Sequence, residues 1–129
     1  MKVLKGLSTI TFLFLFFVFA VPAQGARLHY EKVYQEVFCK QLGGVAEYAL
    51  FDRTRVDCLT DEYAIEVDFA DKWAEGVGQS LYYAEVTGRA PGILVIVESL
   101  DDVRYLKRIL RLSTEYGIRI WTYSPKDID

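Results

Sequence analysis

A continuous apolar run from Gly92 to Val97 constrains the fold of this chain more than any other feature. Alternation of apolar and polar residues is typical of a strand with one face in water, whereas an unbroken run is typical of a strand buried on both faces. Such a strand needs helices on both sides of its sheet. Amphipathic helical patterns lie on either side of the run, at residues 72–86 and 101–116. The run therefore predicts a layered α/β domain.

The other patterns supply the remaining elements of a sheet. Apolar residues recur at helical spacing from Tyr30 to Leu42, and Gly43-Gly44 ends this first helix. Three short strands follow in hairpin-like succession, and a last strand follows Gly117. The element order αβββαβαβ predicts a three-layer α/β fold with a five-stranded mixed sheet flanked by helices. Besides the apolar run at residues 92–97, the other four strands are expected at residues 45–51, 55–59, 63–69 and 118–123.

The loop between the first two strands sets their register. A three-residue loop, Asp52 to Thr54, predicts that Ala49 pairs with Asp57. In that register Glu47 and Asp57 lie on the same face of the sheet.

The N-terminus is typical of an export signal. Lys2 and Lys5 precede an apolar stretch from Ile10 to Val21, and small residues then favour cleavage after Gly25. The alternative is an uncleaved membrane anchor, although the apolar stretch is short for a span of about 20 residues. The sequence thus predicts a signal peptide at residues 1–25, an exported chain and one domain at residues 26–129, without a stable membrane span after cleavage.

The charge of the expected mature chain excludes binding of polyanions by bulk attraction. All 18 acidic residues lie after residue 25, whereas two of the 15 basic residues lie before it, which leaves a net charge of about −5. A protein that binds nucleic acid through its overall charge is basic instead. Any contact with nucleic acid must therefore come from a local patch or from a bound cation.

The cysteines and the histidine exclude several classes of site. Cys39 and Cys58 are the only cysteines, and they either form a disulfide in an oxidising compartment or remain two buried thiols. His29 is the sole histidine and lies near the expected cleavage point. This composition argues against a histidine-based triad and against a Cys/His zinc site.

Four acidic residues are expected to crowd together on neighbouring strands. Glu47 and Asp57 share a face in the expected register, and Glu66 and Asp68 share a face of the adjoining strand. Like charges at such a spacing raise one another's pKa values unless a cation offsets the repulsion. The cluster therefore predicts a site for Mg²⁺ or Mn²⁺ that polarises a phosphodiester and activates water. The alternative is an exposed sheet face with ordinary solvated acids.

These residues bring the chain close to a known family. The element order with Asp57, Glu66 and Gln79-x-x-x-Tyr83 resembles the PD-(D/E)XK nucleases, the restriction-endonuclease-like superfamily. The resemblance covers nearly all of residues 28–123 as an element order, and the stretches around these motifs are similar to small uncharacterised bacterial and phage members. It implies that Asp57 and Glu66 bind the metal, with the Val67 carbonyl as a third protein ligand.

One position departs from the family pattern. Asp68 stands where the family has a lysine that orients the attacking water. A carboxylate cannot donate a hydrogen bond unless it is protonated, and it adds negative charge near the scissile phosphate. Either Asp68 becomes another metal ligand, or Lys72 supplies the ammonium from the start of the next helix. A solvated helix start is the alternative for Lys72.

The resemblance also implies supporting residues. Gln79 and Tyr83 lie at i and i+4, so they share a helix face that can approach the acids. A glutamate on the first helix is common in the superfamily, and Glu31 or Glu36 fills that place. Arg53 and Arg55, beside the expected site, are candidates for contacts with a nucleic-acid backbone.

The resulting expectation is an exported, metal-dependent nuclease that hydrolyses phosphodiester bonds, with DNA as the expected substrate. The alternative is a catalytically inactive domain of the same fold that binds nucleic acid or another partner in the cell envelope. Loss of the motif lysine favours this alternative. A domain of this size often grips a duplex with a second subunit, so a homodimer remains open.

Overall fold

The computed structural model describes residues 26–128. Its elements alternate between helix and strand after an initial helix and three strands. In chain order they are α1 (Glu31–Gln41), β1 (Val45–Ala49), β2 (Arg55–Leu59), β3 (Tyr63–Phe69), α2 (Trp73–Thr87), β4 (Ala90–Ile96), α3 (Val103–Tyr116) and β5 (Arg119–Tyr123). Single 3₁₀ turns lie at Ala70–Lys72, Leu100–Asp102 and Pro125–Asp127.

The five strands form one mixed sheet in the order β1-β2-β3-β4-β5. β1, β2 and β3 are joined by antiparallel pairing, whereas β3, β4 and β5 are joined by parallel pairing. The crossovers between parallel strands are the helices α2 and α3, as such connections require. The prediction of an α/β domain with a five-stranded mixed sheet flanked by helices is confirmed.

Helices cover both faces of the sheet. On one face, Tyr34 and Phe38 of α1 pack against apolar side chains of β3 and β4 such as Ile65. On the other face, apolar residues of α2 and α3, including Val77 and Ile109, pack against the alternate side chains of β4. Because successive side chains of a strand point to opposite faces, Glu66 and Asp68 of β3 lie on the face that α2 covers.

The predicted register of the first hairpin is wrong. Ala49 pairs with Arg55 rather than with Asp57, and β1 ends at Ala49 rather than at residue 51. The connecting loop therefore has five residues instead of three. Asp52 explains the longer loop, because its carboxylate accepts hydrogen bonds from the backbone N–H and the hydroxyl of Thr54 and so stabilises a separate turn.

The two cysteines form a disulfide that ties α1 to β2. Cys39 and Cys58 are bonded, with their Cα atoms 5.5 Å apart. Both are fully buried in the core between α1 and the sheet. Gly44 packs directly on the bond, because a Cβ there would lie 2.6 Å from the sulfur of Cys58. Of the two alternatives that the sequence leaves open, the structure contains the disulfide.

The predicted signal peptide at residues 1–25 lies outside the described residues. Among the helices of residues 26–128, none combines the length and the apolar character that crossing a bilayer requires.

Candidate metal centre

Asp57 lies where the pairing between β2 and β3 stops. In the register of these strands, Cys58 pairs with Ile65 and Leu59 pairs with Ala64. At the next residue of β2 the contact to β3 is made by a side chain instead. Oδ2 of Asp57 accepts the backbone N–H of Val67 at 2.8 Å. In a strand the N–H and C=O of one residue point to the same side. The carbonyl of Val67 therefore also points toward β2 and the Asp57 carboxylate.

Glu66 is buried beside Asp57. Its side chain is 4% exposed, and its Oε1 has no hydrogen-bond partner among the described residues. The carboxyl group of Asp57 is close enough for its charge to act on that of Glu66. Burial is the main reason that the pKa of Glu66 is raised, and the negative charges of Asp57 and Asp68 raise it further. Without a cation, this pair therefore retains a proton at neutral pH.

The pKa of Asp57 is raised by the same causes. Burial makes the largest contribution, and repulsion from Glu31 and Glu47 adds to it. The hydrogen bond from the Val67 N–H works in the opposite direction, because it favours the ionised carboxylate. Asp57 and Glu66 are thus held together at an electrostatic cost that a cation would offset.

Asp68 is the second buried carboxyl group of this centre, two residues after Glu66 on β3. It is 6% exposed, and its Oδ2 has no hydrogen-bond partner among the described residues. Burial, followed by repulsion from Glu31, raises the pKa of Asp68 to about 8. Gly76 of α2 provides room for this carboxyl group, since a Cβ at Gly76 would lie 3.0 Å from Oδ2.

Lys72 reaches back to this cluster from the start of α2. Its ammonium lies 3.8 Å from Oδ1 of Asp68 and 3.5 Å from Oε2 of Glu31. Attraction to Glu31 is the main reason that the pKa of Lys72 is raised, so the ammonium stays charged. Of the two glutamates of α1 named from the sequence, Glu31 lies at the cluster. Glu36 is exposed and pairs with Lys32 instead.

Gln79 and Tyr83 lie on the face of α2 that meets the acids. Tyr83 is buried against Val56 and Ala64, and burial followed by the charges of Glu66 and Asp57 raises its pKa. A hydrogen bond with Gln79 acts on Tyr83 in the opposite direction. The i, i+4 pair predicted from the sequence is thus brought beside the two acids.

Gln35 of α1 is a site residue that the sequence reasoning missed. Its side chain is 5% exposed, and its Nε2 donates to Oε1 of Glu47 at 2.6 Å and to the backbone carbonyl of Asp57 at 2.9 Å. The available signal was its place next to Tyr34 and one turn before Cys39, on the face that α1 buries. A polar residue on a buried helix face needs partners, and here both belong to the site.

Glu47 is exposed at the rim of the cluster and adopts a left-handed backbone conformation, with φ 55°. Such a conformation is uncommon for a residue other than glycine. Arg55 is also exposed, and its guanidinium donates to the Glu47 carbonyl at 3.3 Å. Arg53 lies in the loop, exposed and likewise left-handed with φ 73°. Both arginines therefore present charge to solvent, and Arg55 does so beside Glu47.

The oxygens at this centre fit only part of the metal site that the sequence implies. Within residues 26–128, no trio of His, Cys, Asp or Glu side chains is arranged to enclose a metal ion. A smaller set of oxygens nevertheless fits a hard cation: the carboxylates of Asp57 and Glu66, with the Val67 carbonyl directed to the same side. The buried, unpartnered Oε1 of Glu66 is an oxygen that a cation would satisfy.

No protein-family profile, curated protein or solved structure matches this chain.

Proposed function

We propose that this protein is a metal-dependent nuclease that hydrolyses phosphodiester bonds, with DNA as its substrate. The observation that carries the proposal is the meeting of two buried carboxyl groups, at Glu66 and Asp68, and the half-buried one of Asp57 with the ammonium of Lys72. Buried like charges are costly unless a cation or a proton compensates them. Proteins retain perturbed groups of this kind most often where they serve chemistry.

Asp57 and Glu66 would hold Mg²⁺ or Mn²⁺, with the Val67 carbonyl as a third ligand. When bound, such an ion polarises the phosphodiester and lowers the pKa of a water molecule. Asp57 is oriented for this role by the Val67 N–H, which occupies one of its lone pairs and fixes the carboxylate plane. Occupation of the site would release the proton that the pair otherwise retains.

Lys72 would orient the attacking water. Its ammonium has three donors, and the two contacts at 3.5 and 3.8 Å leave room for a further acceptor. Glu31 and Asp68 hold the ammonium in place from α1 and β3 and keep it charged. Asp68 thus takes the motif position of the lysine and supports a lysine supplied from four residues further along.

Supporting residues surround this centre. Gln79 and Tyr83 would line the side of the site that α2 covers, and Glu47 would act through Gln35. Arg53 and Arg55 would contact the phosphate backbone of the substrate, since both are exposed at or just before the start of β2, the strand that carries Asp57. Such a local contact is needed because the net charge of the chain is negative.

The proposal includes the restriction-endonuclease-like fold, for which the observed element order and the placement of Asp57 and Glu66 on adjacent strands give support.

The proposal also includes export after removal of residues 1–25, which the disulfide supports because such bonds persist in oxidising compartments. Mass spectrometry of the native protein tests processing, with Ala26 as the expected first residue. An unprocessed N-terminus in the membrane fraction would favour the membrane anchor.

The nuclease is tested by incubating the purified protein with supercoiled plasmid and with single-stranded DNA in Mg²⁺, Mn²⁺ or EDTA. Cleavage that requires metal and disappears in Glu66→Ala is the expected result. Glu85→Ala, at an exposed position of α2, is the matched control and should cleave like the unmodified protein. Absence of cleavage under every metal, from protein that is folded by circular dichroism, contradicts the proposal.

The second candidate is a catalytically inactive domain that binds nucleic acid. The observation that favours it is the pairing of the Lys72 ammonium with the carboxyl groups of Glu31 and Asp68, which competes with any role toward water. Fluorescence anisotropy with labelled DNA distinguishes the two. Binding in Mn²⁺ without cleavage identifies the inactive domain, and sedimentation of the same mixture shows whether a homodimer grips the duplex.

A further inference from the structure

Asp57 is not a Cα partner in the register of β2 with either neighbouring strand. The register of β2 with β3 ends at Cys58, and the register of β1 with β2 passes from Ala46–Cys58 to Tyr48–Val56. Glu47 lies opposite Asp57 between these two pairs, is left-handed and is likewise not a partner in the register. The Asp57 backbone therefore lies at a local break in the regular pairing of the sheet.

Gln35 holds the backbone of Asp57 from outside the sheet. A primary amide has two N–H donors, and Gln35 directs both into the site: one to the Asp57 carbonyl at 2.9 Å and one to Glu47 at 2.6 Å. These contacts are made in a buried setting, where water cannot replace a missing partner without cost. The position of Asp57 relative to Val67 and Glu66 therefore depends on α1.

The disulfide joins α1 to β2, the same two elements that Gln35 connects, at the residue next to Asp57. Cys39 follows Gln35 by one helical turn on the same face of α1, and Cys58 directly follows Asp57 on β2. Gly44, at the end of the turn that leaves α1, closes over the bond. The bond therefore fixes how far α1 lies from β2, which is the distance that the Gln35 side chain must span.

We propose that Gln35 is a positioning residue that sets the Asp57 carboxylate for metal binding, and that the Cys39–Cys58 disulfide sets Gln35. The site is then fully formed only in the oxidised protein. This inference rests on the proposed metal centre, but its geometric part can be measured without metal. The amide of Val67 reports it, because its hydrogen bond goes to Oδ2 of Asp57.

The experiment compares three variants labelled with ¹⁵N with the unmodified protein. Gln35→Met keeps the size of the side chain and removes the donors. Gln41→Met makes the same change at the exposed end of the same helix, away from Asp57. Cys39→Ser/Cys58→Ser removes the disulfide. Hydrogen exchange of the Val67 amide is measured in EDTA, with the Leu94 amide in the parallel part of the sheet as the internal reference.

In Gln35→Met and in the double serine variant, we expect the Val67 amide to exchange about tenfold faster relative to Leu94. We expect Mn²⁺ affinity, measured by calorimetry, to fall by about 10- to 100-fold, the usual effect of removing a residue that orients a metal ligand. Gln41→Met should change neither quantity.

Unchanged Val67 exchange and unchanged Mn²⁺ affinity in Gln35→Met would overturn the inference, whatever happens to the serine variant. If the unmodified protein fails to bind Mn²⁺, the proposed metal centre fails, and the Val67 measurement still decides whether Gln35 positions Asp57. If the serine variant unfolds, Gln35→Met still decides the role of Gln35. Cys39→Ala/Cys58→Ala, which adds no polar group to the core, then takes the place of the serine variant, and unchanged Val67 exchange in it would overturn the role of the disulfide.

Discussion

The ammonium of Lys72 lies 3.8 Å from the carboxylate of Asp68, across the 3₁₀ turn that joins β3 to α2. The turn reverses the chain within four residues, so a side chain at the start of α2 returns to the end of β3. Glu31 of α1 meets the same ammonium at 3.5 Å. A positive charge is thereby brought to the acids although the strand itself carries none.

Removal of the Lys72 ammonium should slow DNA cleavage strongly and leave metal binding nearly unchanged. We expect Lys72→Met to lower the rate of DNA cleavage by about 10²- to 10⁴-fold, the usual contribution of a group that assists proton transfer. Mn²⁺ affinity should change little, because the proposed ligands remain. Lys32→Met, at an exposed pair on α1, is the control. Equal cleavage by both variants would exclude Lys72 from the mechanism.

Without metal, the protein should become less stable as the pH rises. The pKa of Asp68 is about 8 when folded and 3.8 for an ordinary aspartate, so the folded chain holds a proton that the unfolded chain releases between these pH values. The free energy of unfolding must therefore fall as the pH rises from about 4 to 8, and the raised pKa of Glu66 extends the fall.

Thermal melts in EDTA between pH 5 and 9 measure this dependence. Glu66→Gln and Asp68→Asn should flatten it, whereas Glu85→Gln should leave it as it is. A melting temperature that rises over this pH range in the unmodified protein would show that the acids are not held in protonated form.

Metal should reverse the loss of stability at high pH. At pH 8, Mn²⁺ at 100 times its dissociation constant should stabilise the protein by about 2.7 kcal/mol. Asp57→Asn should remove most of this gain, because it replaces a charged ligand with a neutral amide whose single oxygen would have to serve both the Val67 N–H and the ion. Differential scanning calorimetry with and without Mn²⁺ measures the difference, and an equal gain in Asp57→Asn would place the ion elsewhere.

Two glycines of α2 form a matched pair for testing the room around Asp68. Nothing lies within 4 Å of a Cβ at Gly78, so Gly78→Ala should raise the free energy of unfolding by about 0.5–1 kcal/mol through helix propensity. A Cβ at Gly76 would lie 3.0 Å from Oδ2 of Asp68. Gly76→Ala should therefore gain less in urea unfolding and should cleave DNA more slowly than Gly78→Ala.

The exposed arginines at the rim should contribute to DNA binding through phosphate. We expect Arg53→Ala/Arg55→Ala to weaken DNA binding and to reduce the slope of log K against log salt by about 0.7–0.9 for each phosphate that these arginines neutralise. Arg111→Ala, at an exposed position of α3, is the control. DNA titrations of each variant at several salt concentrations measure this slope. Equal slopes in the two variants would show that Arg53 and Arg55 do not contact the DNA phosphates.

Local patterns predicted the architecture and part of the site. The apolar run of β4 correctly predicted a strand covered on both faces, and strand alternation placed Glu66 and Asp68 on one face. The first register failed, because the hydrogen bonds from Thr54 to Asp52 lengthen the turn, and such side-chain contacts are not evident from residue type alone.

The sequence by itself determined which residues alternate, where helices begin and end, and which acids lie on adjoining strands, since these follow from periods within one element. Only the tertiary structure decided that Lys72 and Glu31 meet at Asp68, that Gln35 holds Asp57, and that Cys39 reaches Cys58. Each of these contacts joins a helix to a strand. Their geometry depends on how α1 and α2 pack on the sheet, and that packing is set by the shapes of many buried side chains together.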